Sequence, residues 1–253
     1  MRESEPVPPD LAGRTALVLG AGALGPGWGI GRALVQRYAA AGARVVAADR
    51  DLAAAEATAE AVGDTPGAVH PAAVDVLDAD ALAALVAETE ARHGRLDLLH
   101  CNVGLGKAGP AADTSAEDLR RIAEANLVSV HVAAQAALPG MRARGAGVIL
   151  ATSTIAALRA PGYPHLAYGA TKAGLNHLIR LLAVEEGPRG IRANVVVAGL
   201  IDTPRIAVTL ERTAGPGGLD ALRAARAAQP PLRRMGDAFD VADAALWLAS
   251  DRA

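Results

Sequence analysis

Short, continuous apolar runs recur along the chain, and each is separated from the next by a stretch of helical composition. Thr15–Leu19 (TALVL) ends on Gly20, and Arg44–Ala48 (RVVAA) ends on Asp49. Val69–Val74, Leu96–Cys101, Gly147–Ala151 and Ala193–Val197 complete a set of six. Runs this short that do not alternate with polar residues predict strands buried on both faces, as in a parallel sheet. Helical patterns fill the intervals at Arg32–Ala41, Leu52–Val62, Ala79–His93, Ala116–Met141, a helix carrying Tyr168 that runs to about Glu186, and Ala242–Ala249 behind the cap Asp237–Val241. Regular βαβ alternation predicts the α/β class, with one doubly wound domain whose helices cover both faces of the sheet. No composition shift divides residues 11–253, whereas residues 1–10, polar with three prolines, are expected to form a disordered leader.

Composition narrows the function classes. Hydrophobic residues make up 51% of the chain but aromatic ones only 2%, so the core must be built from Ala, Val and Leu. The net charge of -2 offers no attraction for nucleic acid or an anionic membrane. The single Cys101 excludes an internal disulfide and fits a reducing compartment. The polar start, Met1 to Asp10, shows no signal peptide, and no apolar run has the length of a membrane span. A cytoplasmic protein is expected, with no metal ion.

The candidate chemistry sits at the strand ends. Gly20–Gly31 is a glycine-rich loop between the first strand and first helix, the place where a dinucleotide fold receives a pyrophosphate on backbone N–H groups. Asp49, at the end of the second strand, is spaced to accept hydrogen bonds from an adenosine ribose. Its carboxylate repels a 2′-phosphate, which favours NAD over NADP, while the adjacent Arg50 would receive that phosphate. Tyr168 and Lys172, four residues apart, share one helix face. A neighbouring ammonium favours the phenolate and draws a tyrosine pKa down from about 10, which makes the phenol a usable general acid or base. The chain has only two lysines, Lys107 and Lys172, among many arginines.

These motifs, in this order, resemble the short-chain dehydrogenase/reductase family of about 250 residues, a Rossmann-like fold, from about Leu11 to the C-terminus. The family's TGxxxGxG appears as Leu19-Gly20 followed by Gly29-Ile30-Gly31, with the insert AGALGPGW, which includes Gly22, Gly25 and Gly27, between them. Trp28 of that insert is expected either to cover the pyrophosphate or to plug the core. Asp75-Val76 resembles the adenine-contacting pair, and Cys101-Asn102-Val103-Gly104 resembles the family's NNAG, with cysteine in place of the first asparagine. Cys101 is read as a buried small side chain rather than a reactive thiol. Asn126, within EANL, matches the catalytic asparagine that holds a helix kink and a water leading to Lys172. The family's ISS segment corresponds to Ala151–Ala156. Thr154 falls on the hydroxyl that polarises the substrate oxygen, and Ser153 is the alternative. The family's PG-x-I-x-T corresponds to the segment ending in Ala198, Gly199, Ile201 and Thr203, with Ala198 replacing the proline.

The resemblance implies an enzyme that interconverts a secondary alcohol and a ketone with NAD(H), or alternatively NADP(H). Tyr168 would move the proton, and Lys172 would bind the nicotinamide ribose. A lid is expected over residues 204–234, with Arg159, Tyr163, His165 and Arg205 as candidates to line the pocket. A homodimer or homotetramer is the expected assembly. Two other classes stand beside this one: a dinucleotide-binding redox sensor without turnover, and the same fold performing imine reduction or a non-redox elimination.

Overall fold

The computed structural model describes residues 10–160, 164–206 and 218–253. Most of the expected leader, Tyr163 and part of the expected lid lie outside the described residues. Among those residues six strands form one sheet: β1 Thr15–Leu19, β2 Arg44–Asp49, β3 Val69–Ala73, β4 Leu98–Cys101, β5 Gly147–Thr154 and β6 Ile191–Ala198. The order is β3-β2-β1-β4-β5-β6 and every pair is parallel. The chain winds from β1 outward to β3, then returns past β1 to β4. The order therefore reverses between β1 and β4, and in such sheets ligands bind in the crevice outside the carboxyl ends of these strands.

The helices are α1 Ile30–Ala40, α2 Leu52–Val62, α3 Ala79–His93, α4 Ala116–Ala123, α5 Ser129–Arg144, α6 Leu166–Glu186, α7 Gly218–Ala227 and α8 Ala238–Ala249. Strand alternation divides the core between two faces. Leu17, Leu19, Leu99, Ile149 and Ala151 face α3, α5 and α6, packing with Leu82, Val86, Met141, Leu175 and Ile179. Ala16, Val18, Val45, Val148 and Leu150 face α1 and α8, packing with Leu34, Val35, Ala242 and Ala245. Local signals set the helix starts: Asp51 caps α2 and Asp78 caps α3. Full capping boxes, Ser115 with Asp118 and Asp237 with Asp240, open α4 and α8. No helix among the described residues is long and apolar enough to cross a membrane.

Several element bounds differ from the sequence expectation, and three of the differences bear on the crevice. Helix α1 starts at Ile30 rather than Arg32, which brings Gly31 inside its first turn. β5 continues three residues past Ala151, because Thr152, Ser153 and Thr154 pair with Val196, Val197 and Ala198 of β6. The single helix expected over Ala116–Met141 is broken by a π turn at Glu124–Val128, with Asn126 inside it. Such a turn widens the helix by one residue, which commonly marks a functional position.

Candidate active site

At the β1 end of the crevice, glycine is required by close approach. A Cβ at Gly31 would lie 2.0 Å from the Gly20 carbonyl oxygen, so only glycine lets α1 seat this tightly against the turn. Gly20 itself turns with φ of +77°. Gly29 caps α1 in an extended conformation with no side-chain hydrogen bond, and no acidic residue occupies the first turn. The first N–H groups of α1 therefore point toward the crevice with the positive end of the helix dipole. Asp49 ends β2 beside this loop, where its Oδ2 accepts the Gly22 N–H at 2.9 Å. A Cβ at Gly22 would meet that oxygen at 2.8 Å, so the same glycine keeps loop and carboxylate together. Arg50 is exposed. Asp75, also exposed, accepts the Leu77 N–H at 3.0 Å, and Val76 packs on the core.

Trp28 is half-buried and packs against the core. Its ring packs on Phe239 of α8 with centroids 5.0 Å apart, and Arg37 lies over the other ring at 4.5 Å. The loop is pinned further where Arg32 donates to the Gly27 carbonyl at 2.9 Å.

The segment after β4 ties the centre of the site together, one residue at a time. Asn102 donates its amide to the Gly20 carbonyl at 2.9 Å, joining β4 to the glycine turn. The Val103 carbonyl accepts from Lys172 Nζ at 2.9 Å, and the Gly104 carbonyl accepts from Arg205 at 2.5 Å. Leu105 is held through both backbone groups: its N–H donates to Asn126 Oδ1 at 2.7 Å and its carbonyl accepts from Asn126 Nδ2 at 2.8 Å. Asn126 is fully buried and also reaches Thr171 Oγ1 at 3.0 Å. Its amide thus braces the π turn against both the β4 loop and α6.

Tyr168 and Lys172 project from α6 onto this segment. A point one Cβ bond out from Gly104 lies 3.6 Å from Tyr168 Cε2, 3.7 Å from an Arg205 nitrogen and 3.8 Å from Lys172 Cε. At Gly106 the equivalent point lies 3.3 Å from both Tyr168 and His165. Lys172 is only 2% exposed, and its Nζ also donates to the Thr152 carbonyl at 2.8 Å. Burial, with the Arg205 charge added, lowers its pKa to about 8 against a small opposing pull from Cys101. The lysine is therefore fixed by two carbonyls at the centre of the site.

The two hydroxyl candidates are in different situations. Ser153 Oγ is buried without a hydrogen-bond partner among the described residues, in a side chain 2% exposed. Thr154 is half-buried at the end of β5, and its Oγ1 accepts the Ala156 N–H at 3.2 Å. Having accepted there, the Thr154 hydroxyl keeps its own proton to donate. On the far side, Ile201 forms a parallel bridge to Gly236. The bridge uses the Leu200 carbonyl and the Asp202 N–H, so the N–H and carbonyl of Ile201 point the other way. Gly199 is exposed, and the Thr203 carbonyl accepts the Ile206 N–H at 3.0 Å. Arg159 is exposed just after β5.

One group went unrecognised in the sequence. His100, in β4, is fully buried, with Nδ1 2.6 Å from Tyr38 Oη and Nε2 3.0 Å from Thr152 Oγ1. Burial, reinforced by Lys172, drives its pKa down to about 3, so the ring is neutral. The only signal was a polar residue inside an apolar run, LDLLHC. Cys101 beside it is the buried thiol expected, its pKa pushed up to about 12 by burial.

Comparison with known proteins places this geometry. The family model described as enoyl-(acyl carrier protein) reductase matches residues 25–253. An uncharacterised short-chain type dehydrogenase/reductase of Sinorhizobium fredii is 36% identical over 248 residues, covering 95% of this chain and 92% of that one. The crystal structure of a short-chain dehydrogenase/reductase from Burkholderia xenovorans superposes with a TM-score of 0.91 at 39% identity, covering 96% of this chain and 92% of the other. A 7α-hydroxysteroid dehydrogenase, solved with NADH and 7-oxo glycochenodeoxycholic acid, gives a TM-score of 0.83 at 31% identity, covering 95% and 89%. With the doubly wound sheet, the glycine turn and a Tyr168–Lys172 helix in the family order, the chain belongs to the short-chain dehydrogenase/reductases and is an oxidoreductase.

Proposed function

We propose that the enzyme interconverts a secondary alcohol and a ketone with a nicotinamide cofactor, NAD(H) in preference to NADP(H). The residues present fit such a cofactor. The uncapped start of α1, with Gly20, Gly22, Gly29, Ile30 and Gly31, would hold the diphosphate. Asp49 would accept from the adenosine ribose, with Arg50 exposed next to it, and Asp75 and Val76 would border the adenine. Asn102, Val103, Gly104, Gly199, Ile201 and Thr203 would line the nicotinamide end. When bound, the nicotinamide supplies or accepts the hydride. Tyr168 gives its proton to the oxygen of a ketone under reduction, or takes one from an alcohol under oxidation. Lys172, held by the Val103 and Thr152 carbonyls, biases that phenol toward release of the proton. Thr154 donates its hydroxyl to the reacting oxygen. Asn126 keeps the Val103–Leu105 backbone where Lys172 needs it.

The observation that carries this reading is the convergence of Tyr168 and Lys172 on Gly104, with the ammonium buried and anchored. The apolar groove between α5 and α6, lined by Leu127, Val128, Leu178 and Leu181, supports pairing of two copies. In the decisive experiment, Tyr168→Phe lowers kcat on a ketone panel by at least about 1,000-fold, while NADH still binds by calorimetry. Undiminished turnover in that variant would refute the mechanism. Tighter binding of NADPH than NADH would refute the role of Asp49.

A further inference from the structure

His100 is the buried group beside Lys172 that the proton and hydride chemistry does not use. Its ring lies fully buried in β4, with Nδ1 2.6 Å from Tyr38 Oη and Nε2 3.0 Å from Thr152 Oγ1. Tyr38 is fully buried too, and burial holds its phenol well above the usual range, so the phenol keeps its proton. With His100 as its hydrogen-bond partner, that O–H donates to Nδ1. Nδ1 is then the acceptor of a neutral ring, and the Nε2–H donates to the Thr152 hydroxyl. The chain from α1 through β4 to β5 therefore has one direction.

Thr152 is where that direction matters. β4 pairs with β5 only as far as Cys101 with Ala151, whereas β5 and β6 stay paired through Thr152 and on to Thr154. Past the last β4 row, Thr152 meets two side chains: His100 at its hydroxyl, and Lys172 Nζ at its carbonyl, 2.8 Å away. The same ammonium donates to the Val103 carbonyl at 2.9 Å, in the segment that leaves β4. A histidine side chain thus holds the strand where the β4 ladder no longer reaches it, at the residue whose carbonyl receives the lysine. The ammonium is close enough for its charge to be the second cause, after burial, of the lowered His100 pKa.

We propose that His100 is a positioning residue: through the Thr152 hydroxyl it sets the carbonyl that holds Lys172. This rests on the reading of Lys172 above for its consequence in turnover, but not for the contact itself. A hydrogen bond to the ammonium favours its charged form, so loosening the Thr152 carbonyl lowers the pH at which Lys172 releases its proton.

A chain with two lysines makes that release directly visible. Lysine labelled with carbon-13 at Cε gives two NMR resonances, and Lys107→Arg identifies the one from Lys172. All proteins carry Tyr168→Phe, which leaves Lys172 faced by His100 and Cys101 from β4 and by Arg205. Burial keeps His100 neutral down to about pH 3 and Cys101 a thiol up to about pH 12, so neither titrates in the range where the lysine does. The Lys172 midpoint is expected to fall by at least about half a pH unit in Thr152→Val and in His100→Leu, with no further fall in the double variant. Thr152→Ser keeps the hydroxyl and should stay within about 0.2 pH unit of the parent. So should Leu34→Ala, which opens the same core without touching the chain. An unmoved midpoint in Thr152→Val overturns the inference, and so does an equal fall in Thr152→Ser or Leu34→Ala. Should His100→Leu not fold, the two Thr152 variants decide alone. With Tyr168 restored, kcat on a ketone that the wild type reduces should fall by about tenfold in Thr152→Val. A wild type that reduces no ketone counts against the ketone reading, while the lysine titration still decides this inference.

Discussion

Lys172 should leave a signature in folding stability that no other residue can imitate. Its ammonium is buried to 2% exposure, and the folded-state pKa is about 8, against an ordinary 10.5. Below pH 8 both folded and unfolded chains carry the proton, and the folded protein bears the whole penalty of the buried charge. One pKa unit is worth about 1.4 kcal/mol, so that penalty is on the order of 3 kcal/mol. As pH rises from 8 to 10.5 the folded protein releases the proton first. The unfolded chain then binds more protons, and stability rises with pH. In Lys172→Met the penalty disappears, but the Val103 and Thr152 carbonyls lose their donor, at about 1–3 kcal/mol each. The two effects roughly cancel at pH 7, so wild type and variant should be about equally stable there. By pH 10 the wild type should lead by about 3 kcal/mol. The assay is urea denaturation of the cofactor-free proteins between pH 7 and 10, since a ligand bound to the folded state would mask the difference. Both proteins carry Tyr168→Phe, which removes the neighbouring phenol from the titration, and other alkaline ionisations cancel in the difference. A stability difference that stays flat across this range would refute the assignment of a depressed lysine.

Three further outcomes are expected. Thr154→Val should lower kcat/KM by about 100-fold, the usual loss for a donor to a developing oxyanion, whereas Ser153→Ala, whose oxygen is buried, should change it by less than about threefold; the reverse ranking would make Ser153 the donor. Gly31→Ala, which sets a Cβ 2.0 Å from the Gly20 carbonyl, should destabilise the fold by about 1–3 kcal/mol and weaken NADH binding, while Gly29→Ala, 3.4 Å from its nearest neighbour, should fold normally; equal melting temperatures would refute this contact. His100→Leu should cost about 1–3 kcal/mol by stranding Tyr38 Oη in the core, and Tyr38→Phe should relieve much of that cost, so a double-mutant cycle in urea with no coupling would dissolve the proposed chain.

The parts of this molecule that could be read from sequence are those set by neighbours in the chain. Six apolar runs, the glycine turn and the four-residue spacing of Tyr168 and Lys172 are local patterns, and the sheet and its crevice follow from them. The π turn is not written in the composition of Ala116–Met141, which is helical throughout; only the family resemblance placed a kink at Asn126. Inside the turn Asn126 grips a Leu105 backbone 21 residues earlier. The choice between Ser153 and Thr154 was equally hidden, since it depends on how far β5 pairs with β6. His100 lies 62 residues from its partner Tyr38, so nothing nearby distinguishes it from a strand interruption. The same distinction bears on two departures from the family pattern. Cys101 replaces an asparagine, yet the ties to Lys172, Arg205 and Asn126 are made by the backbone of Val103, Gly104 and Leu105. Ala198 replaces a proline, yet it pairs with Thr154 in β6, and the bridge to Gly236 fixes Ile201 three residues later. A site held by backbone groups tolerates side-chain exchange at its edges, provided the few side chains that do the holding stay in place: Asn102, Asn126, Lys172 and Arg205.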